Sequence, residues 1–323
     1  MSDADYALVG DIGGTNARFA LVRRGAYEPE QIRVLATNEF ASLDAAVSQY
    51  LTDVGVKGVD EVCVAIAGPV QREHLQLTNS HWHFTRAEAM QKLGLSRFKV
   101  VNDFTAMALG VPHVDAANLV SVGQGNAPVP SAPRLIIGPG TGLGVAGLLW
   151  VRGVWIPLAS EGGHVDFAPT SDVEMEILRK LQAQYGRVSV ERLLSGAGLV
   201  ALYQILSELQ GREPGQVTPA QVTQAAVAGE DSIALDALHL FCEILGRVAG
   251  NAALTLGAQG GVFICGGIVP RFIDFFRQSR FEQAFLDKGR MRDFLRNIPI
   301  QVVTHPHTGL LGASEALLNP EVV

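Results

Sequence analysis

The chain has 323 residues, 48% of them hydrophobic, which is enough for two domains of ordinary size with well-formed cores. A formal net charge of −7 leaves no basic footprint for nucleic acid or an anionic membrane surface. The three cysteines, Cys63, Cys242 and Cys265, stand far apart in apolar stretches, which excludes a disulfide framework or a zinc set and points to a reducing cytoplasm.

The acidic start Met1-Ser2-Asp3-Ala4-Asp5 lacks the basic region of a signal peptide, so no targeting segment is expected. Tyr6 to Val9 is an apolar strand that runs into Gly10-Asp11-Ile12-Gly13-Gly14-Thr15-Asn16. Ala17 to Val22 then leaves as a second strand, with Phe19 and Leu21 alternating against Arg18 and Ala20. The glycine pair thus joins strand to strand, whereas a P-loop or dinucleotide fingerprint joins a strand to a helix. Such a turn either merely reverses the chain or bares a nest of backbone N–H groups to phosphate, with Asp11 at the rim able to hold Mg²⁺ directly or through water.

Ser42 is expected to cap a helix with an apolar stripe of Leu43, Ala46, Val47, Tyr50 and Leu51. Val62 to Ile66 reads as a buried strand ending at Gly68-Pro69. Thr78-Asn79-Ser80-His81-Trp82 sets short polar groups beside an aromatic ring, a composition suited to the lip of a sugar site. Thr85 with Glu88 forms a capping box for a helix that Gly94 ends. Phe98 to Val101 is the next strand and Phe104 to Leu109 the next helix. Between them, Asn102 and Asp103 either cap that helix or, in the case of Asp103, receive the proton of a hydroxyl attacking a γ-phosphoryl group.

Val122 to Pro133 is a surface loop by its glycines and prolines. The run from Arg134 to Gly147 repeats the first pattern: an apolar strand, a turn of Gly140-Thr141-Gly142, and a second strand. Pro139 and the glycines break this uncharged run, so it reads as a hairpin rather than a membrane span, and the protein is expected to be soluble. In Ser160-Glu161-Gly162-Gly163-His164 the glycines let backbone approach a ligand. The carboxylate can accept from neighbouring sugar hydroxyls and the imidazole can make another bond; a plain polar turn is the other reading. Glu191, in Val188-Ser189-Val190-Glu191-Arg192-Leu193-Leu194-Ser195-Gly196, is either a similar ligand or an acid favoured near a helix start.

Ser232 to Leu256 is a long helix, apolar on most faces. Gly261 to Ile268 is a buried strand closing on Gly266-Gly267, and Ile298 to Val303 and Gly309 to Leu318 are a last strand and helix. The pairs His81/His83 and His305/His307 lack a third ligand nearby, so no metal is expected at either.

Two glycine hairpins and a late Gly-Gly, spread over residues 6 to 315, resemble the superfamily of sugar kinases, actin and heat-shock chaperone ATPases. Asp-Ile-Gly-Gly-Thr-Asn-Ala-Arg at 11–18, Asn-Asp-Phe at 102–104, Glu-Gly-Gly-His at 161–164 and Glu-Arg-Leu-Leu-Ser-Gly at 191–196 narrow that resemblance to the bacterial ATP-dependent glucokinase family. The resemblance implies an α/β, two-domain actin-like ATPase fold of duplicated ribonuclease-H-like lobes, with nucleotide and sugar in the interdomain cleft. It implies a small domain of residues 1–113 plus 304–323 and a large one of 114–303. It also implies transfer of the ATP γ-phosphoryl group to the 6-hydroxyl of glucose, with Mg²⁺.

By the same resemblance Asp103 is the general base, and Asn102, Asp103, Glu161, His164 and Glu191 hold the sugar. Gly10, Asp11, Ile12, Gly13, Gly14, Thr15, Asn16, Gly140, Thr141, Gly142, Gly266 and Gly267 hold ATP, and Asp11 holds Mg²⁺ through water. Relatives with a structural zinc carry a cysteine cluster near a comparable Glu-x-Gly-His; no cysteine lies between Cys63 and Cys242, so no structural zinc is expected. Expected partners are glucose, ATP and a second copy of the chain, with no nucleic acid and no membrane. A hexokinase of different sugar specificity and a non-sugar ATPase of this fold remain alternatives, since fold does not fix function. A sugar-sensing regulator would need a basic helix-turn-helix segment that neither end offers. Because transfer to water is the competing reaction, sugar binding is expected to close the two domains before chemistry.

Overall fold

The computed structural model describes residues 5–68, 70–77 and 81–322. Contacts divide the chain into two units: Met1–Asn118 with Trp150–Leu158 and His305–Val323, and Leu119–Leu149 with Ala159–Thr304.

The first unit is built on the strands β1 (Tyr6–Ile12), β2 (Asn16–Arg23), β3 (Pro29–Ala36), β4 (Glu61–Ile66), β5 (His74–Gln76), β6 (His83–Thr85) and β7 (Arg97–Asn102). Five of them form one sheet in the order β3-β2-β1-β4-β7, while β5 and β6 pair separately. β1 runs antiparallel to β2 and parallel to β4, and β4 runs parallel to β7. Helix Leu43–Asp53 starts at Ser42, whose side chain accepts from the Ala45 N–H, and lays its expected stripe on Leu8, Phe19 and Val64. Thr85 and Glu88 make the capping box, and Gly94 ends that helix in the left-handed conformation.

One expectation needs correcting. The alternation of Phe19 and Leu21 against Arg18 and Ala20 does not separate a buried from a solvent face, because Ala20 is fully buried, as are its sheet neighbours Val9 and Cys63. Helix Thr308–Leu318 covers this second face, packing on β1, β2 and β4, so the strand is apolar on both sides. Lys99 lies on the same face. It is 8% exposed because its Nζ donates to the carbonyls of Ala316 at 2.7 Å and Asn319 at 2.8 Å, tying off the end of that helix. Burial holds its ammonium below the ordinary lysine range.

The remaining strands are β8 (Leu119–Val122), β9 (Arg134–Pro139), β10 (Leu143–Val151), β11 (Val154–Ser160), β12 (Val262–Ile264) and β13 (Ile300–Val303), of which all but Trp150–Leu158 in β10 and β11 fall in the second unit. These six strands form a sheet in the order β11-β10-β9-β12-β13-β8. β9 is antiparallel to β10 and parallel to β12, which is parallel to β13. Each sheet therefore repeats one plan: an antiparallel hairpin whose first strand pairs in parallel on its other side. The long helix is Ser232–Leu256, and it shares a core with helices Asp172–Tyr185, Gly196–Leu209 and Pro219–Ala228. β8 shortens the expected loop to residues 123–133. The edge strand β3 mixes apolar with charged residues and the edge strand β8 is only four residues long, so neither announces itself.

Helix Asp103–Gly110 crosses Thr308–Leu318 at glycine contacts. A Cβ on Gly312 would overlap the Ala106 carbonyl oxygen, and one on Gly110 the Thr308 carbonyl oxygen. Gly312→Ala should therefore lower the unfolding free energy by about 1–3 kcal/mol or more, because backbone cannot yield as a side-chain tip can. Gly215→Ala, which meets open space, is the control and should change little. Denaturant midpoints at unchanged slope decide between them.

Candidate active site

The first hairpin turn lies between β1 and β2. The Gly13 N–H donates to the Asn16 carbonyl at 2.9 Å and closes the turn. Thr37, 2% exposed, braces it from behind: its Oγ1 donates to the Gly14 carbonyl at 2.7 Å, and its N–H to the Thr15 carbonyl at 3.0 Å. Nothing in the sequence marked Thr37, since it follows an edge strand and meets the turn only by pairing. Among the described residues no hydrogen-bond partner takes the N–H of Gly14 or Thr15. Gly10 is tight for another reason: a Cβ there would lie 3.1 Å from the Phe19 ring and from Val64.

Asp11, next to last in β1, has about a third of its side chain exposed and Arg18 Nη1 3.5 Å away. Gly309, near the start of helix Thr308–Leu318, backs it closely; a Cβ there would sit 3.4 Å from the Asp11 Cγ. Loss of solvation pushes the Asp11 carboxyl above the ordinary carboxylate range, against the pull of Arg18 and His307. Burial, with His305 and Arg18, in turn holds the His307 imidazole below its usual range, and its buried Nδ1 has no hydrogen-bond partner among the described residues. His307 is thus a neighbour of Asp11 that only the tertiary fold reveals. His305 Nδ1 accepts from the His307 N–H at 3.2 Å.

At the end of β7 the capping question divides between the two residues. Asn102 is the cap: its Oδ1 accepts from the N–H groups of Phe104 at 3.0 Å and Thr105 at 3.2 Å, and its Nδ2 reaches the Gly68 carbonyl at 3.4 Å. Asp103 is the first helical residue and is exposed, with Oδ1 accepting from the Phe104 N–H at 2.8 Å. Both belong to the first unit.

The lip expected at 78–82 is only partly visible, because Thr78, Asn79 and Ser80 lie outside the described residues. Trp82 offers no platform to a ligand. It is 1% exposed in the core, and its Nε1 donates to the Phe40 carbonyl at 2.9 Å. A large ring with one satisfiable N–H gains more from that burial than from exposure. His81 Nε2 meets the same carbonyl at 2.9 Å, and His83 Nδ1 the His81 carbonyl at 3.1 Å.

The second unit gathers the other expected ligands around the start of β10. Gly140 N–H donates to the Gly142 carbonyl at 2.8 Å, and the Gly140 carbonyl accepts from the Gly196 N–H at 2.9 Å. Glu161 pairs with Val145 through an isolated bridge and is exposed. Gly162 and Gly163 follow in a short turn pressed onto β10, where a Cβ on Gly162 would lie 2.8 Å from the Val145 Cβ and one on Gly163 would overlap the Leu143 carbonyl oxygen. Arg187 steadies the loop by donating from Nη2 to the His164 carbonyl at 2.6 Å.

Glu191 is not at the start of the long helix that follows. Ser195 caps that helix at Gly196, whereas Glu191 occupies its own short turn, Val190–Arg192. Its carboxylate serves contacts rather than a dipole: Oε2 accepts from the Leu143 N–H at 2.9 Å, and Oε1 lies 3.9 Å from His164 Nδ1. Gly266, at φ +86°, abuts the Pro139 carbonyl oxygen, so the late glycine pair meets the end of β9, and Gly267 faces open space. The three cysteines are free and buried; burial pushes the thiols of Cys63 and Cys242 up to about 12 and Cys265 higher still, which leaves them inert.

The family profile described as Glucokinase matches residues 8–320. The chain is 58% identical to a glucokinase of Hahella chejuensis over 322 residues, covering 100% of both chains. It is 55% identical to a glucokinase of Marinobacter nauticus, again over 100% of both. Among solved structures, glucokinase from an Antarctic psychrotroph superimposes with a TM-score of 0.88 at 35% identity, covering 97% of this chain and 99% of that one.

Proposed function

The chain belongs to the glucokinase family, and we propose that Asp103 is the general base of its reaction, the transfer of the ATP γ-phosphoryl group to the 6-hydroxyl of glucose. The fold is the two-domain actin-like α/β fold of these kinases. The full-length match to glucokinases carries the reading of the activity. For Asp103 the support is local: Asn102 does the capping, which leaves an exposed carboxylate on a rigid helix start. A carboxylate stays ionised at neutral pH and can orient and receive the hydroxyl proton as the phosphoryl group departs from ADP.

Asn102, Glu161, His164 and Glu191 are proposed to hold the sugar by hydrogen bonds to its hydroxyls, which carboxylates accept strongly. The turns at Gly13–Thr15 and Gly140–Gly142 are proposed to hold the phosphates. Unpartnered N–H groups at Gly14 and Thr15 support this for the first turn. Gly266 and Gly267 are proposed to lie along the rest of the nucleotide. Mg²⁺ enters with ATP and supplies neutralisation of phosphate charge. Asp11 is an oxygen donor of the kind that a hard cation takes, partly exposed and only loosely engaged by Arg18, so it fits a water-mediated role there. The two units are proposed to act as small and large domains. We also propose a cytoplasmic homodimer; the free buried thiols support the first, and exposed Val173, Met175 and Leu209 on the second unit support the second. No described helix is long and apolar enough to cross a membrane.

ADP release measured with and without glucose tests the activity: turnover should require the sugar. Asp103→Asn keeps the bond to the Phe104 N–H but cannot take a proton, so kcat should fall by about 10²–10⁴-fold. Glucose affinity by calorimetry should change far less, and near-normal turnover in the folded variant would remove Asp103 from the role of base. Glu161→Gln keeps size and loses charge, weakening bonds worth about 1.5–3 kcal/mol each, so the glucose KM should rise at least about tenfold with the ATP KM little altered. An unchanged glucose KM would make Glu161 a turn residue only.

A further inference from the structure

We propose that Glu191 is a positioning residue for the second phosphate-type turn as well as a sugar ligand, so that one carboxylate couples sugar and nucleotide affinity. The proposal rests on the sugar-kinase reading above and goes beyond it in assigning Glu191 a role toward the nucleotide.

The geometry is asymmetric between the two oxygens. Oε2 accepts from the N–H of Leu143, the first residue of β10 and the one that follows the turn Gly140–Gly142. The carboxylate reaches that N–H only because Gly142 has no side chain; a Cβ there would stand 2.5 Å from Oε2. The other end of the turn is held by the Gly196 N–H on the Gly140 carbonyl at 2.9 Å. The stretch from Glu191 to Gly196 thus grips the turn at both ends, once by side chain and once by backbone.

Oε1 faces the sugar loop. Its 3.9 Å separation from His164 Nδ1 is longer than a hydrogen bond, and a single hydroxyl oxygen can fill that gap by bonding both groups. Glu191 is 30% exposed at the side chain and His164 58%, so both are reachable from solvent. The sugar loop itself rests on the same strand start, through Gly162 on Val145 and Gly163 on Leu143. A hydroxyl that fixes Oε1 also fixes Oε2, and so fixes the position of the Leu143 N–H and the turn before it. The coupling is reciprocal, as any linkage between two binding equilibria must be.

Calorimetry with ADP and Mg²⁺ in the absence of sugar is the decisive measurement. Glu191→Ala should weaken ADP by about tenfold, the effect of losing one charge-assisted hydrogen bond. Glu191→Gln keeps an acceptor for the Leu143 N–H and should stay within about twofold of wild type, while glucose affinity falls in both variants. Glucose should tighten ADP binding in the wild type and have no such effect in Glu191→Ala. The converse variant, Gly142→Ala, displaces the carboxylate from the turn side and should weaken glucose binding measured without nucleotide. Normal ADP affinity in Glu191→Ala, an equal loss in Glu191→Gln, or unchanged glucose affinity in Gly142→Ala each overturns the proposal. Absence of sugar-dependent turnover in the wild type would instead overturn the kinase reading beneath it.

Discussion

The fold depends on backbone meeting backbone at distances that a Cβ would forbid. Gly312 against Ala106 sets the crossing of helix Asp103–Gly110 with the C-terminal helix, and so sets where the Asp103 carboxylate stands. Gly163 against Leu143 and Gly266 against Pro139 do the same for the Glu161–His164 loop and the late glycine pair. The last two contacts bring a candidate site segment onto an end of a strand, Leu143 at the start of β10 and Pro139 at the end of β9. Interiors packed this densely have no slack to absorb an added methyl group.

Polar groups that these contacts bury are satisfied nearly everywhere. Lys99 spends its ammonium on the last carbonyls of the C-terminal helix, groups that no helix can satisfy internally. Glu174, 1% exposed, takes Arg247 Nη2 at 2.6 Å and the Thr170 N–H at 2.9 Å, and so ties helix Asp172–Tyr185 to the long helix Ser232–Leu256. Breaking such a pair from one side would strand a charge in a dry environment, which is far more costly than leaving it intact. Among the described residues His307 is an exception, with a buried ring nitrogen that has no partner there, and it stands close enough to Asp11 to act on its carboxyl.

An acidic chain that handles phosphate is no paradox on this arrangement. With a net charge of −7 it has no broad positive field, and the glycine turns present N–H dipoles instead. On the proposed reading, dipoles fixed by Thr37 behind one turn, and by Glu191 and Gly196 around the other, would need no reorganisation when an anion arrives. The braces are as much a part of the site as the turns.

The sequence by itself determined the elements and the candidate chemistry, because those signals are local. Apolar runs marked β1 and β2, side-chain caps at Ser42 and Thr85 marked helix starts, and glycine clusters marked the turns, each read within a few neighbouring residues. Edge strands stayed hidden, β3 because it mixes apolar with charged residues and β8 because four residues are too few to show a period. Only the tertiary structure decided what each polar side chain spends its bonds on. It made Asn102 the cap and left Asp103 exposed, sent Trp82 into the core, turned Ala20 and Lys99 inward beneath the distant C-terminal helix Thr308–Leu318, and set Glu191 against Leu143. Those outcomes rest on contacts between segments far apart in the chain, and a hydrogen-bond partner brought in from such a distance leaves no periodicity to read.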